Sequence, residues 1–107
     1  MRRDAKADAN QPEVIAELRR CGAVVAHTHQ LGSGKPDFIV GMYSQRLKAP
    51  ALLWVELKTD GGKLTRAERK FHKEWTGYPI IVARTADEIL EWFGYEEFYD
   101  RETTVRD

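Results

Sequence analysis

Apolar positions along this chain follow two rhythms. At 100° per residue, Gln11, Val14, Ile15 and Leu18 fall on one helical face, with Glu13 and Glu17 off it. This predicts a first helix over residues 10–20. Asn10 is placed to cap it, Pro12 sits in the first turn, and Gly22 provides the left-handed stop. The pattern then shortens. Residues 23–28, 37–42 and 51–58 read as three strands, separated by a turn-rich loop (31–36) and a polar connection (43–50). After Gly61-Gly62 the helical rhythm returns over 64–75, with Thr65 near its start. Residues 78–83 read as a fourth strand. Thr85 then caps a last helix ending near Phe93-Gly94, with Glu88 as its capping-box partner. Residues 1–9 are polar and read as frayed.

Short connections make the first three strands an antiparallel meander. A helix between the third and fourth makes that pair parallel, by a right-handed crossover. The expected fold class is α/β: a small mixed sheet of about four strands in αβββαβα order, flanked by helices. At 107 residues the chain is one domain, with a core over about 8–93 and an acidic tail over 95–107.

Composition narrows the function. With 42% hydrophobic and 32% charged residues, the chain is neither disordered nor membrane-like in make-up. No apolar run approaches the roughly 20 residues that cross a bilayer, and the charged start Met1-Arg2-Arg3-Asp4 is unlike a signal peptide. The single cysteine, Cys21, excludes an internal disulfide framework and predicts a reducing, cytoplasmic setting. It reads as buried and inert. The net charge is zero, from 17 basic and 17 acidic residues, but it is unevenly spread. Residues 1–85 hold 15 basic and 9 acidic side chains, and residues 86–107 hold 2 and 8. A basic body with an acidic end is compatible with a nucleic-acid partner.

The chemistry lies in two acids and a lysine. Asp37 opens the second strand after Pro36, and Glu56 and Lys58 lie two apart near the end of the third. Alternation puts Glu56 and Lys58 on one face, and the meander brings Asp37 to the same rim. Two converging carboxylates suit a hard cation such as Mg²⁺ or Mn²⁺. A lysine beside them can orient or deprotonate a water, or stabilise charge on a phosphate. The bland readings are a turn aspartate and an exposed ion-paired face. Glu56 amid Leu53-Trp54-Val55 and Leu57 is a costly place for a carboxylate without a role.

Gly34-Lys-Pro-Asp37, followed by Glu56-Leu-Lys58, resembles the PD-(D/E)XK nuclease signature. The wider stretches at 34–41, 55–65 and 67–72 resemble its VRR-NUC branch, in particular the small stand-alone proteins common in phages. The resemblance spans residues 8–93. It implies a restriction-endonuclease-like fold and a metal held by Asp37, Glu56 and the backbone carbonyl of Leu57, with Lys58 as catalytic lysine. A first-helix acid completes the family's set. Here either Gln11, on the sheet-facing side, or Glu13, of the right type but turned away, would fill that position. Glu68 stands where the family often has glutamine; the helical wheel places it inward, with Lys58 as partner. The implied activity is metal-dependent hydrolysis of branched DNA, such as four-way junctions, by a homodimer. Residues from Trp92-Phe93 to Phe98-Tyr99 are the expected interface. No membrane or small-molecule cofactor is expected.

Other residues offer weaker signals. Lys35, Lys63, Arg66 and Lys70 are candidates for phosphate contact, with Arg69 and Lys73 on the same helix; a solvated charged face is the default. His27 and His29 read as structural or solvent-facing more readily than as site residues, and without a third ligand they make a poor zinc site. Trp54, Trp75 and Trp92 read as core or interface anchors. An alternative function is a catalytically silent nucleic-acid-binding or regulatory module on the same fold. A protein-interaction domain is a third, supported only by the acidic tail.

Overall fold

The computed structural model describes residues 2–59 and 61–95, with side chains from residue 10 onward. Among these residues three α-helices flank one four-stranded mixed sheet: α1 (Arg2–Arg20), β1 (Val24–His27), a short 3₁₀ turn (His29–Leu31), β2 (Phe38–Ser44), β3 (Ala49–Leu57), α2 (Arg66–Glu74), β4 (Ile80–Ala83) and α3 (Ala86–Trp92). The strands lie in the spatial order β1-β2-β3-β4. β1, β2 and β3 pair antiparallel, and β4 joins β3 in parallel. None of the described helices is long and apolar enough to cross a membrane.

The first helix begins at Arg2, well before the residue-10 start that its capping signals indicate. Residues 2–9 include three alanines, a lysine and two arginines, which favour helix. Pro12 is therefore an interior residue of α1, where its missing N–H removes one hydrogen bond. Asn10 is not a cap; its amide donates to the Arg84 carbonyl at 3.4 Å. The helix stops as its sequence indicates. Gly22, at φ 96°, donates to Arg19, and Ala23 donates to Leu18, closing the last turn.

Strands β2 and β3 run closer to each other than the polar 43–50 stretch implies, leaving only residues 45–48 as a turn. Lys48 takes a positive φ of 59° there. Thr65 forms a full capping box with Glu68 at α2. At α3 the box is incomplete: Thr85 accepts from the Glu88 amide, but the Glu88 carboxylate turns to the Arg84 amide at 2.7 Å.

The two sheet faces are covered differently. α1 and α3 pack on one face, where Val14, Ile15, Leu18, Ile89, Leu90 and Phe93 meet Phe38, Val40, Leu53 and Val55. Cys21 is half-buried at the edge of this core. Phe93 is fully enclosed within it, which excludes it from the expected dimer surface; Phe98 and Tyr99 lie outside the described residues, as does the tail from 96 onward. α2 packs on the other face. There Trp54 meets Phe71 and Trp75 edge-on, both at 5.5 Å between centroids, and Phe71 stacks on Trp75. Period-2 alternation in β3 thus sends Val55 and Leu57 to the main core, and Trp54 and Glu56 toward α2.

Candidate active site at the sheet rim

Pro36 and Asp37 enter the sheet just before β2, and backbone bonds fix them on both sides. The Asp37 amide donates to the Val55 carbonyl at 3.0 Å, and the Asp37 carbonyl accepts from the Thr28 and His29 amides. The buried Thr28 hydroxyl donates to the Pro36 carbonyl at 2.7 Å. The Leu57 amide donates to Asp37 Oδ2 at 2.7 Å. One carboxylate oxygen thus braces β3 and sets the direction of the other. Gly34 is also constrained. It has φ 78°, and a Cβ there would come 2.4 Å from the Ala67 carbonyl oxygen. Only glycine lets this loop lie directly against the first turn of α2.

That contact brings α2 to the rim. Lys58, whose amide continues the ladder to Ala83, directs its ammonium to Glu68 Oε1 at 3.0 Å and Glu56 Oε2 at 3.7 Å. Glu68 Oε1 also accepts from the Thr65 amide at 2.8 Å. Glu68 therefore caps its own helix and holds the lysine, matching the inward position and partner inferred from the helical wheel.

Glu56 is 2% exposed, and its Oε1 is buried with no hydrogen-bond partner. Burial pushes its carboxyl up to about 8, and the negative charges of Asp37 and Glu68 add to the rise; Lys58 opposes them. Burial by itself would lower the Lys58 ammonium, but its bond to Glu68 and the surrounding carboxylates hold it above its ordinary value. Burial likewise works against ionised Glu68, and the Thr65 amide with Lys58 reverses that and lowers it. His72, one helical turn past Glu68, is shifted down by burial, partly offset by Glu68.

Asp37, Glu56, Lys58 and Glu68 are thus assembled at one rim. Gln11 is half-buried and lines a cavity together with Asp37, whereas Glu13 is exposed and does not line it. The phosphate-contact candidates lie on or near α2 and outside the rim cluster's ion pairs. Lys35 lies 6.0 Å from the Phe71 ring centre, Lys70 pairs with Glu74 at 3.0 Å, and Lys63 and Arg66 are exposed. Sequence reasoning missed Thr28 as the brace of Pro36-Asp37 and gave His27 and His29 little weight, although both line the cavity beside Asp37.

Among the described residues, no group of three or more His, Cys, Asp or Glu side chains is disposed to hold a metal ion. The available carboxylate donors are Asp37 and Glu56, and the Leu57 amide already bonds Asp37 Oδ2. Mg²⁺ is compatible with such a set, because it commonly keeps several waters and takes only one or two carboxylates. The unpartnered Glu56 oxygen fits that use. Comparisons with protein-family models, curated proteins and solved structures found no match.

Proposed function

We propose that the chain is a divalent-metal-dependent DNA endonuclease of PD-(D/E)XK type on a restriction-endonuclease-like fold. Its substrates are branched DNA, and it works as a homodimer in a reducing compartment. The observation that carries this reading is the buried carboxylate of Glu56, one oxygen paired with Lys58 and the other without a hydrogen-bond partner, converging with Asp37. A protein without a use for that group would replace it with an apolar residue at lower cost.

Asp37 and Glu56 would hold Mg²⁺ or Mn²⁺, with the Leu57 carbonyl as a further oxygen donor. When bound, such an ion neutralises phosphate charge and acidifies water. Asp37 keeps its orientation through the Leu57 amide. Lys58 stays an ammonium because Glu68 holds it so. Its role is that of a charged donor to a phosphate oxygen or to the attacking water, and proton abstraction is left to another group.

A cleavage screen over duplex, flap, splayed and four-way DNA with Mn²⁺ tests the assignment. Wild-type protein should cut at least one substrate. Glu56→Ala and Lys58→Ala should each lose on the order of 10²-fold or more. Cleavage that survives both substitutions would overturn it. One observation favours a second reading, a binding module without catalysis: the first-helix residue beside Asp37 is Gln11, an amide where the family has an acid. Salt-sensitive junction binding with no uptake of Mn²⁺ would select that reading.

A further inference from the structure

We propose that the cavity between α1 and the β1–3₁₀ turn is a nucleotide subsite, taking one unpaired nucleotide of DNA next to the phosphate to be cut at the rim beside Asp37. The inference rests on the nuclease reading and names the substrate feature that reading leaves open.

The cavity has a volume of about 560 Å³, within the roughly 300–1,000 Å³ usual for small-molecule sites. Pro12, Ile15 and Ala16 give α1 an aliphatic stretch, suited to the face of a base, between the polar Gln11 and Arg19 of the same helix. Arg19, His27 and His29 supply nitrogen donors for phosphate and sugar oxygens. An imidazole offers at least one ring N–H in either protonation state. Arg19 is anchored near β1 through a 3.4 Å bond to the Val25 carbonyl. Asp37 is the one acidic residue among the lining residues, and it stands at the end shared with the rim cluster.

The subsite and the rim cluster are mechanically joined. The His29 and Thr28 amides both donate to the Asp37 carbonyl. A strand running past Asp37 would therefore find Lys58, Glu56 and Glu68 on the α2 side and the cavity on the α1 side. A base stacked and paired in duplex DNA cannot enter such a cavity, whereas an unpaired base can. The subsite thus favours substrates whose pairing is broken beside the cut.

The test uses the metal-free 107-residue chain with thymidine 5′-monophosphate and a labelled oligothymidylate as probes. Binding is read by NMR shift changes and fluorescence anisotropy. Wild-type protein should bind both, with shifts at His27 and His29. Arg19→Ala and His29→Ala should each weaken binding about tenfold. Ala16→Trp, an exposed position that fills the cavity without removing a donor, should abolish monophosphate binding while circular dichroism stays unchanged. Failure of the wild type to bind the monophosphate, or binding unaltered by Ala16→Trp, would overturn the subsite. Monophosphate binding lost in Ala16→Trp, in a protein that cuts no DNA, would keep the subsite and remove the nuclease reading. Cleavage of splayed DNA by Ala16→Trp and His29→Ala at the wild-type KM would remove the subsite and keep the nuclease.

Discussion

The two ends of the β2–β3 hairpin are built on opposite principles. At the turn end, polar groups are matched with partners. The buried Ser44 hydroxyl accepts from the Leu47 amide at 2.9 Å and donates to the Phe93 carbonyl at 3.4 Å. The same carbonyl accepts from the Gln45 and Arg46 amides. Arg46 donates to the Trp92 carbonyl at 2.8 Å and lies over the Trp92 ring, and the Tyr95 hydroxyl reaches the Tyr43 carbonyl. At the rim end two carboxylates, Glu56 and Glu68, pair with one lysine, Asp37 adds a third negative charge, and a buried oxygen has no partner. The first end secures α3 against the sheet. The second holds charge where folding alone would remove it, and unfavourable burial of that kind marks candidate sites.

Substitutions should separate the two ends cleanly. The largest effect is expected at the rim: Glu56→Gln keeps the shape, removes the ionisable carboxyl that a cation would bind and should eliminate cleavage. In metal-free protein above pH 8 the same change should raise stability by about 1–3 kcal/mol, as judged by urea denaturation. Gly94→Ala should do the reverse. Its φ is 96° and a Cβ would lie 2.6 Å from the Arg46 amide nitrogen, so stability should fall by about 1–3 kcal/mol. The metal affinity of the folded fraction should stay unchanged.

A smaller effect is expected from pH. Glu56 titrates near 8 in the folded protein against an ordinary 4.5. Below pH 4.5 it is protonated in both folded and unfolded chains and costs nothing. As pH rises toward 8 the unfolded chain releases that proton first, so stability must fall across this window. Glu68, shifted down, works in the opposite sense: its contribution is present above its ordinary value and lost as pH falls. Thermal melts between pH 5 and 9 should show the decline in wild type, a weaker one in Glu56→Gln, and a flatter one with saturating Mg²⁺. The smallest effect belongs to the exposed Lys70–Glu74 pair. Breaking it with Lys70→Ala should change stability by at most about 0.5 kcal/mol. Cleavage would weaken only if this helix face touches DNA.

Much of this was legible in the sequence because it depends on local periodicity. The Val14-Ile15-Leu18 stripe and the opposed faces of Val55 and Glu56 follow from residue spacing. The meeting of Asp37 with Glu56 and Lys58 follows from a meander whose loops are short. The start of α1 was not legible, because Pro12 matches a first-turn signal while the alanine-rich segment before it favours helix. Strand ends near 43–50 were hidden by Ser44, whose polar character reads as loop until Phe93 supplies its partner. Thr28, Gly34 and the Arg19–His29 cavity depend on contacts between distant segments. Thr28 looks like an ordinary strand residue until Pro36 is placed against it, and Gly34 like an ordinary turn glycine until Ala67 is.

The central claim is that the buried carboxylate of Glu56, with its Oε1 left unbonded, exists to bind a divalent cation, and titration calorimetry with Mn²⁺ at pH 7 tests it most directly. Wild-type protein should bind at the rim and release about one proton per ion, read from buffers of different ionisation enthalpy, because the cation displaces the proton held by Glu56. Glu56→Gln should neither bind nor release protons. No binding by the wild type, or equal binding by Glu56→Gln, would contradict the account.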